Sequence, residues 1–205
     1  DASWQAVYDA MRQNPSVYVF GEGAGVKAFY DAPEMLREFP DHIVTMPICE
    51  DGSVNFVVGA SLLGVTPVVD VITADFLYRA MDSICNTAAK MNFVRPSQWP
   101  STIVIRAEFL TGGPTTGQRI ESLFAHIPGL NVVIPSTPSD AYGLMLTALG
   151  TPGVTLFFED RMIQDDLLDP EPIAKGAIPF GVACWRHRGL RSGVTVVSYG
   201  LMTQR

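Results

Sequence analysis

Short apolar runs alternate with helical patterns along most of this chain. Six runs rich in β-branched and aromatic residues are bounded by turn-forming residues, a pattern typical of buried strands: residues 16–20, 43–47, 66–73, 101–105, 131–135 and 154–158. Helical patterns cover residues 4–12, 32–39, 53–63, 76–92, 118–125 and 138–149. Because strands that alternate with helices form right-handed βαβ units, the sequence predicts an α/β fold, with a parallel sheet flanked by helices on both faces.

The predicted α/β domain covers residues 1–160. Residues 161–192 are rich in Asp, Pro and Gly and show little periodicity, which predicts a linker or excursion. A further apolar run over residues 194–200 predicts a strand. Because few elements follow it, we interpret residues 193–205 as the first strand of a truncated C-terminal domain.

One stretch, residues 54–73, carries no charge except Asp70 and needs a separate interpretation. A membrane span is an uninterrupted apolar segment, whereas Gly64 and Pro67 divide this one. The pattern therefore favours a buried helix followed by a buried strand, and no membrane association is expected.

Composition narrows the possible partners. Apolar residues make up 47% of the chain, charged residues only 17%, and the net charge is -7. A thin charged surface is typical of a subunit that buries surface in an oligomer, and the negative charge argues against nucleic acid and anionic membranes as partners. The three isolated cysteines (Cys49, Cys85 and Cys184) match neither a zinc site nor a disulfide framework. We therefore expect a reducing compartment, the cytoplasm or, in a eukaryote, the mitochondrial matrix.

Glu50 stands between the predicted strand 43–47 and the buried stretch that follows it. Burial disfavours the charged form of a carboxyl group unless something bonds it. The simple interpretation is an acid in the first turn of a helix, facing the positive end of the helix dipole. The functional interpretation is a ligand-binding or catalytic carboxyl at the end of a core strand.

Other candidate groups also follow predicted strands, where ligands of parallel sheets gather. The turn at residues 21–25 contains Glu22 among glycines. It matches no phosphate-binding motif, so close backbone approach at the strand end is the better interpretation. The three histidines (His42, His126 and His187) do not pair with Ser or Cys as a catalytic triad requires, and no metal-ligand cluster is evident.

Residues 48–59, centred on Glu50, carry a resemblance to a known family. They resemble the glutamate-containing motif of the β subunits of thiamine-diphosphate-dependent 2-oxoacid dehydrogenases, which have the transketolase-like pyrimidine-binding domain. Further segments agree in order and spacing: residues 19–23, 70–76, 81–90, 124–130, 132–135 and 195–200. The resemblance thus spans nearly the whole chain.

The resemblance implies a catalytic role for Glu50, which matches the glutamate that bonds N1′ of the cofactor's aminopyrimidine. A carboxyl with a raised pKa can donate a proton there and thereby activate the cofactor. We expect Ile48, Val54, Phe56 and Val57 to form the apolar pocket that such a carboxyl requires.

The resemblance also implies that Phe76 stacks on the aminopyrimidine, and that Glu22 and Ile48 occupy further cofactor-binding positions. The family usually has one or two histidines before a Ser-Gln pair. Here the matching residues are Thr115, Thr116 and, for the glutamine, Gln118, which become substrate-side candidates. A threonine cannot shuttle a proton near neutral pH, so the oxidative branch of the chemistry is left open.

The family keeps its Gly-Asp-Gly segment, which holds Mg²⁺ and the diphosphate, on an α subunit, and this sequence has no such segment. The resemblance therefore implies an α-type partner in an α2β2 heterotetramer, with no metal ligands on this chain. The implied reaction is decarboxylation of a 2-oxo acid and transfer of the acyl or hydroxyalkyl group. One alternative is a split transketolase-type subunit acting on sugar phosphates, with Arg106, Arg119 and Arg161 as phosphate ligands. The other is a catalytically inert assembly or regulatory subunit.

Overall fold

A single parallel sheet organises the chain. The computed structural model describes residues 1–24, 32–94, 101–165, 172–186 and 193–204. Its six strands are β1 (Val17–Glu22), β2 (Ile43–Met46), β3 (Thr66–Thr73), β4 (Thr102–Phe109), β5 (Leu130–Val133) and β6 (Gly153–Asp160). They are all parallel, in the order β2-β1-β3-β4-β6-β5. The predicted α/β architecture is confirmed.

The helices cover both faces of this sheet. They are α1 (Ala2–Met11), α2 (Pro33–Glu38), α3 (Glu50–Ser61), α4 (Ala89–Val94), α5 (Glu121–Phe124), α6 (Pro138–Gly150) and α7 (Arg161–Asp165). Consecutive strand residues face opposite ways, so Val69 belongs to the core under α3 and Val68 to the core under α1 and α6. The strands are nearly continuously apolar because both of their faces are buried.

The stretch 54–73 forms most of α3 and all of β3, as its interrupted pattern predicts. None of the helices among the described residues is long and apolar enough to cross a membrane.

The predicted helix over residues 76–92 is not one α-helix. A 3₁₀ segment (Ala74–Ala80) is followed by a π-helical segment (Ser83–Ala88) and then by α4. All three bury an apolar stripe, with Ile84 and Ala88 inside. Hydrophobic spacing does not distinguish these close helical periods, which explains the error.

The predicted strand over residues 194–200 is absent. Residues 194–199 form no helix or strand, and a 3₁₀ turn (Gly200–Thr203) follows them. Val194, Val196 and Val197 are 76%, 85% and 87% exposed. A strand needs a neighbouring strand for its hydrogen bonds, and none of the described residues provides one here. The assignment of residues 193–205 to a second domain stays a prediction.

Helix α6 is capped by Thr137, whose side chain accepts from the Asp140 N–H. Close backbone approach is confirmed at Gly21, because a Cβ there would lie 2.4 Å from the Asp70 carbonyl oxygen.

Candidate active site

The strand order creates a crevice at the carboxyl end of the sheet. From β1 the chain moves to β2 on one side and then crosses to β3 on the other. Ligands of parallel sheets bind where the strand order reverses in this way. Glu22 is the last residue of β1, and Phe76 follows the end of β3. Two predicted cofactor-binding residues therefore flank this crevice.

Glu22 and Glu50 form a buried carboxyl pair. Glu50 is the first residue of α3 and is 5% exposed, and Glu22 is 8% exposed. Burial raises the pKa of Glu22, and the nearby charges of Glu50 and Asp70 raise it further, while a hydrogen bond from the Cys49 N–H opposes the shift. Glu22 Oε1 is buried and has no hydrogen-bond partner among the described residues. The pair can therefore accept a proton from a ligand, hold it, or donate it to the ligand.

Arg79, in the 3₁₀ segment that follows β3, contacts Glu50. Its Nε lies 3.5 Å from Glu50 Oε2, and its side chain is 77% exposed. Side chains three residues apart align in a 3₁₀ helix, so Arg79 shares a side with Phe76. Because the guanidinium is exposed to solvent, a ligand that enters the crevice can displace it from the carboxyl group. Arg79 was not among the residues predicted from the sequence, although its spacing from Phe76 contained the signal.

The expected apolar pocket around Glu50 is only half present. Val54 and Val57, on the same helix as Glu50, are fully buried. Ile48, however, is 84% exposed and Phe56 is 52% exposed, so neither side chain encloses the carboxyl group in the single chain. Their positions, just before and within α3, place them on the outer surface. Exposed apolar groups beside a buried charge are typical of a surface that another molecule covers.

The predicted substrate-side residues lie in the loop that follows β4. Thr115 is exposed and Thr116 is half-buried, and no described hydrogen bond joins either to Glu22 or Glu50. Gln118 is engaged by this chain: its backbone N–H and its side-chain amide both donate to Asp75 Oδ1, at 3.3 Å and 2.7 Å. Asp75, which immediately precedes Phe76, was not among the residues predicted from the sequence.

A second acid cluster surrounds Arg106 on the face covered by α1. The guanidinium is fully buried and bonds Asp1, Asp70, Glu108 and Glu159. Burial alone disfavours the charged form, but the carboxylates outweigh it and hold the pKa of Arg106 above its ordinary value. This cluster belongs to the core rather than to the crevice.

The three arginines proposed as phosphate ligands are all engaged by acids. Arg106 is enclosed as described, Arg119 pairs with Asp160, and Arg161 pairs with Glu108 at 3.4 Å. The full burial of Arg106 therefore contradicts its predicted role as a phosphate ligand. Among the described residues, no three His, Cys, Asp or Glu side chains are arranged to hold a metal ion.

Comparisons with known proteins agree with this geometry. Residues 1–164 match the family described as transketolase, pyrimidine binding domain. The chain is 32% identical to the β subunit of the mitochondrial 2-oxoisovalerate dehydrogenase of Dictyostelium discoideum, over 93% of this chain and 53% of that protein. It is 31% identical to the pyruvate dehydrogenase E1 β subunit of Bacillus subtilis, over 97% of this chain and 63% of that protein. This chain therefore spans between half and two thirds of these relatives.

The fold also matches a solved structure titled split gene transketolase, inactive beta4 tetramer. The TM-score is 0.65 at 20% identity, covering 78% of this chain and 50% of that one. At this identity the match supports the fold alone.

Proposed function

We propose that this chain, which belongs to the family of transketolase pyrimidine-binding domains, is the β-type subunit of a thiamine-diphosphate-dependent enzyme. In this proposal the enzyme decarboxylates a 2-oxo acid and transfers the acyl or hydroxyalkyl group. The observation that carries the proposal is the buried Glu22–Glu50 pair, which lies at the strand-order reversal and has one carboxyl oxygen that no described residue bonds.

The residues present fit the aminopyrimidine end of this cofactor. An aminopyrimidine has apolar faces and a polar edge of ring nitrogens and an amino group. Phe76, 37% exposed beside the crevice, offers a face for stacking, and Glu22 Oε1, which no residue in the described part of the chain bonds, offers an acceptor for the polar edge. When bound, thiamine diphosphate supplies a nucleophilic carbon and an electron sink for the loss of CO₂.

The chain's own contribution is proton control at the polar edge. Glu50 is proposed to hold the ring nitrogen N1′ and to exchange a proton with it, while Arg79 leaves the carboxyl group. Glu22, whose raised pKa favours its neutral form, can hold a proton beside Glu50 without placing two negative charges together. Ile48 is proposed to pack on the ring and to exclude water.

An α-type partner is proposed to complete the site and to hold Mg²⁺ and the diphosphate in an α2β2 assembly. Helix α3 packs against the 3₁₀ and π-helical segments that precede α4. Large exposed apolar side chains on these elements and the adjoining loops support this placement: Ile48, Phe56, Leu63, Phe76, Tyr78 and Phe93. Covering such groups is what drives association of subunits.

Assembly tests the partner directly. Phe56→Asp is expected to abolish co-elution with the α-type subunit in size-exclusion chromatography, because it places a charge on the proposed interface. Val182→Asp, at a position 68% exposed on another segment, serves as the control and should assemble normally. Equal assembly of the two variants would contradict the proposed interface.

Cofactor activation tests the proposed reaction. In the assembled enzyme we expect exchange of the C2 proton of thiamine diphosphate with D₂O, followed by NMR, to fall about 10²-fold or more in Glu50→Gln. Glu34→Gln, which changes an exposed acid paired with Arg37, is the matched control. Exchange unchanged in Glu50→Gln would refute the catalytic role, and exchange never accelerated by the wild type would favour an inert subunit.

Turnover separates 2-oxo acids from sugar phosphates. Pyruvate and 2-oxoisovalerate, the oxo acids in the names of the relatives above, should be consumed by the assembled enzyme. The pairing of Arg106, Arg119 and Arg161 with acids argues against these three residues as phosphate ligands. Consumption of sugar phosphates alone would overturn the 2-oxo acid proposal.

A further inference from the structure

We infer that Asp75 is a positioning residue, which holds the loop carrying Thr115 and Thr116 against the 3₁₀ segment carrying Phe76. This inference rests on the proposed function, because the loop faces the reaction only if Phe76 borders the cofactor. Nothing in the family resemblance assigned a role to Asp75. The sequence had offered Gln118 as a substrate-side residue, whereas the structure shows it bonded within the chain.

The bond between Asp75 and Gln118 is an unusual use of a buried charge. Asp75 is 5% exposed, and its Oδ1 accepts both the backbone N–H and the side-chain amide of Gln118. Its other oxygen, Oδ2, is buried and has no hydrogen-bond partner among the described residues. A carboxylate so incompletely bonded is an expensive way to stabilise a fold. Its geometry, however, joins two elements that are 43 residues apart in sequence.

The backbone that presents Asp75 is itself unusual. Ile72 has φ of 63°, and among the described residues it is the only non-glycine with a positive φ. A β-branched residue rarely adopts this left-handed conformation. The pairing of β3 with β4 shifts register between Asp70 and Thr73, at this same place. Such a bulge bends a strand and redirects the residues after it, and the residues it redirects are those of the 3₁₀ segment that begins at Ala74.

The next residue in the loop provides a second anchor. Arg119 pairs with Asp160, the last residue of β6, and its guanidinium stacks 4.2 Å from the centre of the Phe109 ring. Gln118 and Arg119 thus attach one end of the loop to β6 and to the segment after β3. Thr115 and Thr116 lie two to four residues before these anchors, so the hydrogen bond to Asp75 restricts where both threonines can lie.

A reversal of hydrogen-bond polarity tests the inference. Gln118→Glu places a carboxylate against Asp75, and Asp75→Asn removes the charge that strengthens the bond. In the double variant the new Asn amide can donate to the new Glu carboxylate, and its carbonyl can still accept from the backbone N–H. Hydrogen–deuterium exchange of the amides of residues 113–118, measured by mass spectrometry, should be about tenfold faster in Gln118→Glu. In the double variant it should return to within about threefold of wild type.

Activity in the assembled enzyme gives the second readout. Gln118→Glu should lower kcat/KM for the 2-oxo acid about tenfold or more, because a displaced loop costs orientation. The double variant should recover most of this loss. C2-proton exchange of the cofactor, which depends on Glu50, should stay within about twofold of wild type in all three variants.

The outcomes separate the two proposals. If the wild-type enzyme shows no Glu50-dependent exchange of the cofactor's C2 proton, the proposed function is wrong. The hydrogen–deuterium exchange of the loop amides would still decide whether Asp75 holds the loop. Failure of the double variant to recover amide protection would overturn the positioning role. So would recovered protection with unchanged kcat/KM across the three variants, because the loop position would then have no catalytic consequence. A fall in the urea midpoint that parallels kcat/KM in every variant would also overturn it, by marking Asp75 as structural.

Discussion

Two groups of buried acidic side chains lie on neighbouring strands and differ in their hydrogen-bond and ion-pair partners. The first surrounds Arg106, which bonds Asp70, Glu108 and Glu159 and reaches Asp1 at the start of α1. The second is the Glu22–Glu50 pair, where one oxygen has no partner among the described residues and the only cation is the exposed Arg79.

The presence or absence of a buried cation distinguishes acids that stabilise the fold from acids that are available to a ligand. Acids that share a buried guanidinium are neutralised and hydrogen-bonded, which is the condition for a buried charge to be tolerated. Two acids that face each other without a buried cation weaken the fold, and such an arrangement is typical of a site that binds a ligand. Asp70 belongs to the first group, yet its charge also raises the pKa of Glu22, so the groups are electrostatically connected.

The largest effect is expected from Arg106→Met. Removing the guanidinium leaves buried carboxylates without their cation, and removing one partner of a buried ion pair costs about 3–5 kcal/mol. Stacking on Trp4, whose ring centre lies 4.8 Å away, is lost as well. The free energy of unfolding should fall by that amount in urea titrations.

Arg12→Met is the matched control, because Arg12 pairs with Glu38 on the surface, with both side chains well exposed. Exposed pairs contribute about 0–1 kcal/mol. If the two variants lose similar stability, the cluster around Arg106 is not the stabilising centre described above.

A smaller effect of opposite sign is expected from Glu22→Gln. The pKa of Glu22 in the folded chain lies above its ordinary value of 4.5, so the folded state binds more protons than the unfolded state above pH 4.5. Stability from this group therefore falls as pH rises from 4.5 through the raised pKa. Glutamine removes this loss and keeps an acceptor for the Cys49 N–H, so the variant should gain up to about 1 kcal/mol at pH 7.

Urea titrations of the wild type and Glu22→Gln at pH 4 and pH 7 measure this difference. The two proteins should be nearly equal in stability at pH 4 and should diverge toward neutral pH. A gap of the same size at both pH values would show that the ionisation of the buried Glu22 is not its cause.

The smallest effect is expected at Ile72, which lies between the two groups of acids. Its left-handed backbone costs about 1–2 kcal/mol for an L-residue, and glycine avoids that cost while losing side-chain contacts and chain entropy. Ile72→Gly should therefore change the free energy of unfolding by less than about 1 kcal/mol. Val71→Gly, at the fully buried neighbouring position, should cost about 2–4 kcal/mol. Equal losses in the two variants would contradict strain at Ile72.

The strands and the placement of Glu50 were predictable because both depend on local pattern. Periodicity along the chain defines which residues a strand or helix buries, and acids at strand ends gather at one edge of a parallel sheet. This reasoning correctly brought Glu22 and Glu50 to one edge. The predictions of a helix over residues 76–92 and of a strand over residues 194–200 were wrong. The spacing of apolar residues shows neither which helical hydrogen-bond pattern forms nor whether a neighbouring strand is present.

The parallel sheet, its covering helices and the family resemblance could all be inferred from the sequence, because each depends on the order and spacing of residues along the chain. Only the tertiary structure decided how the charges pair. In the folded chain Arg106 is the buried cation of an acid cluster and not a phosphate ligand. Ile48 and Phe56 are exposed, and Gln118 is hydrogen-bonded to Asp75. The physical reason is that burial and ion pairing depend on distances through space between residues far apart in sequence, whereas periodicity is a property of neighbours.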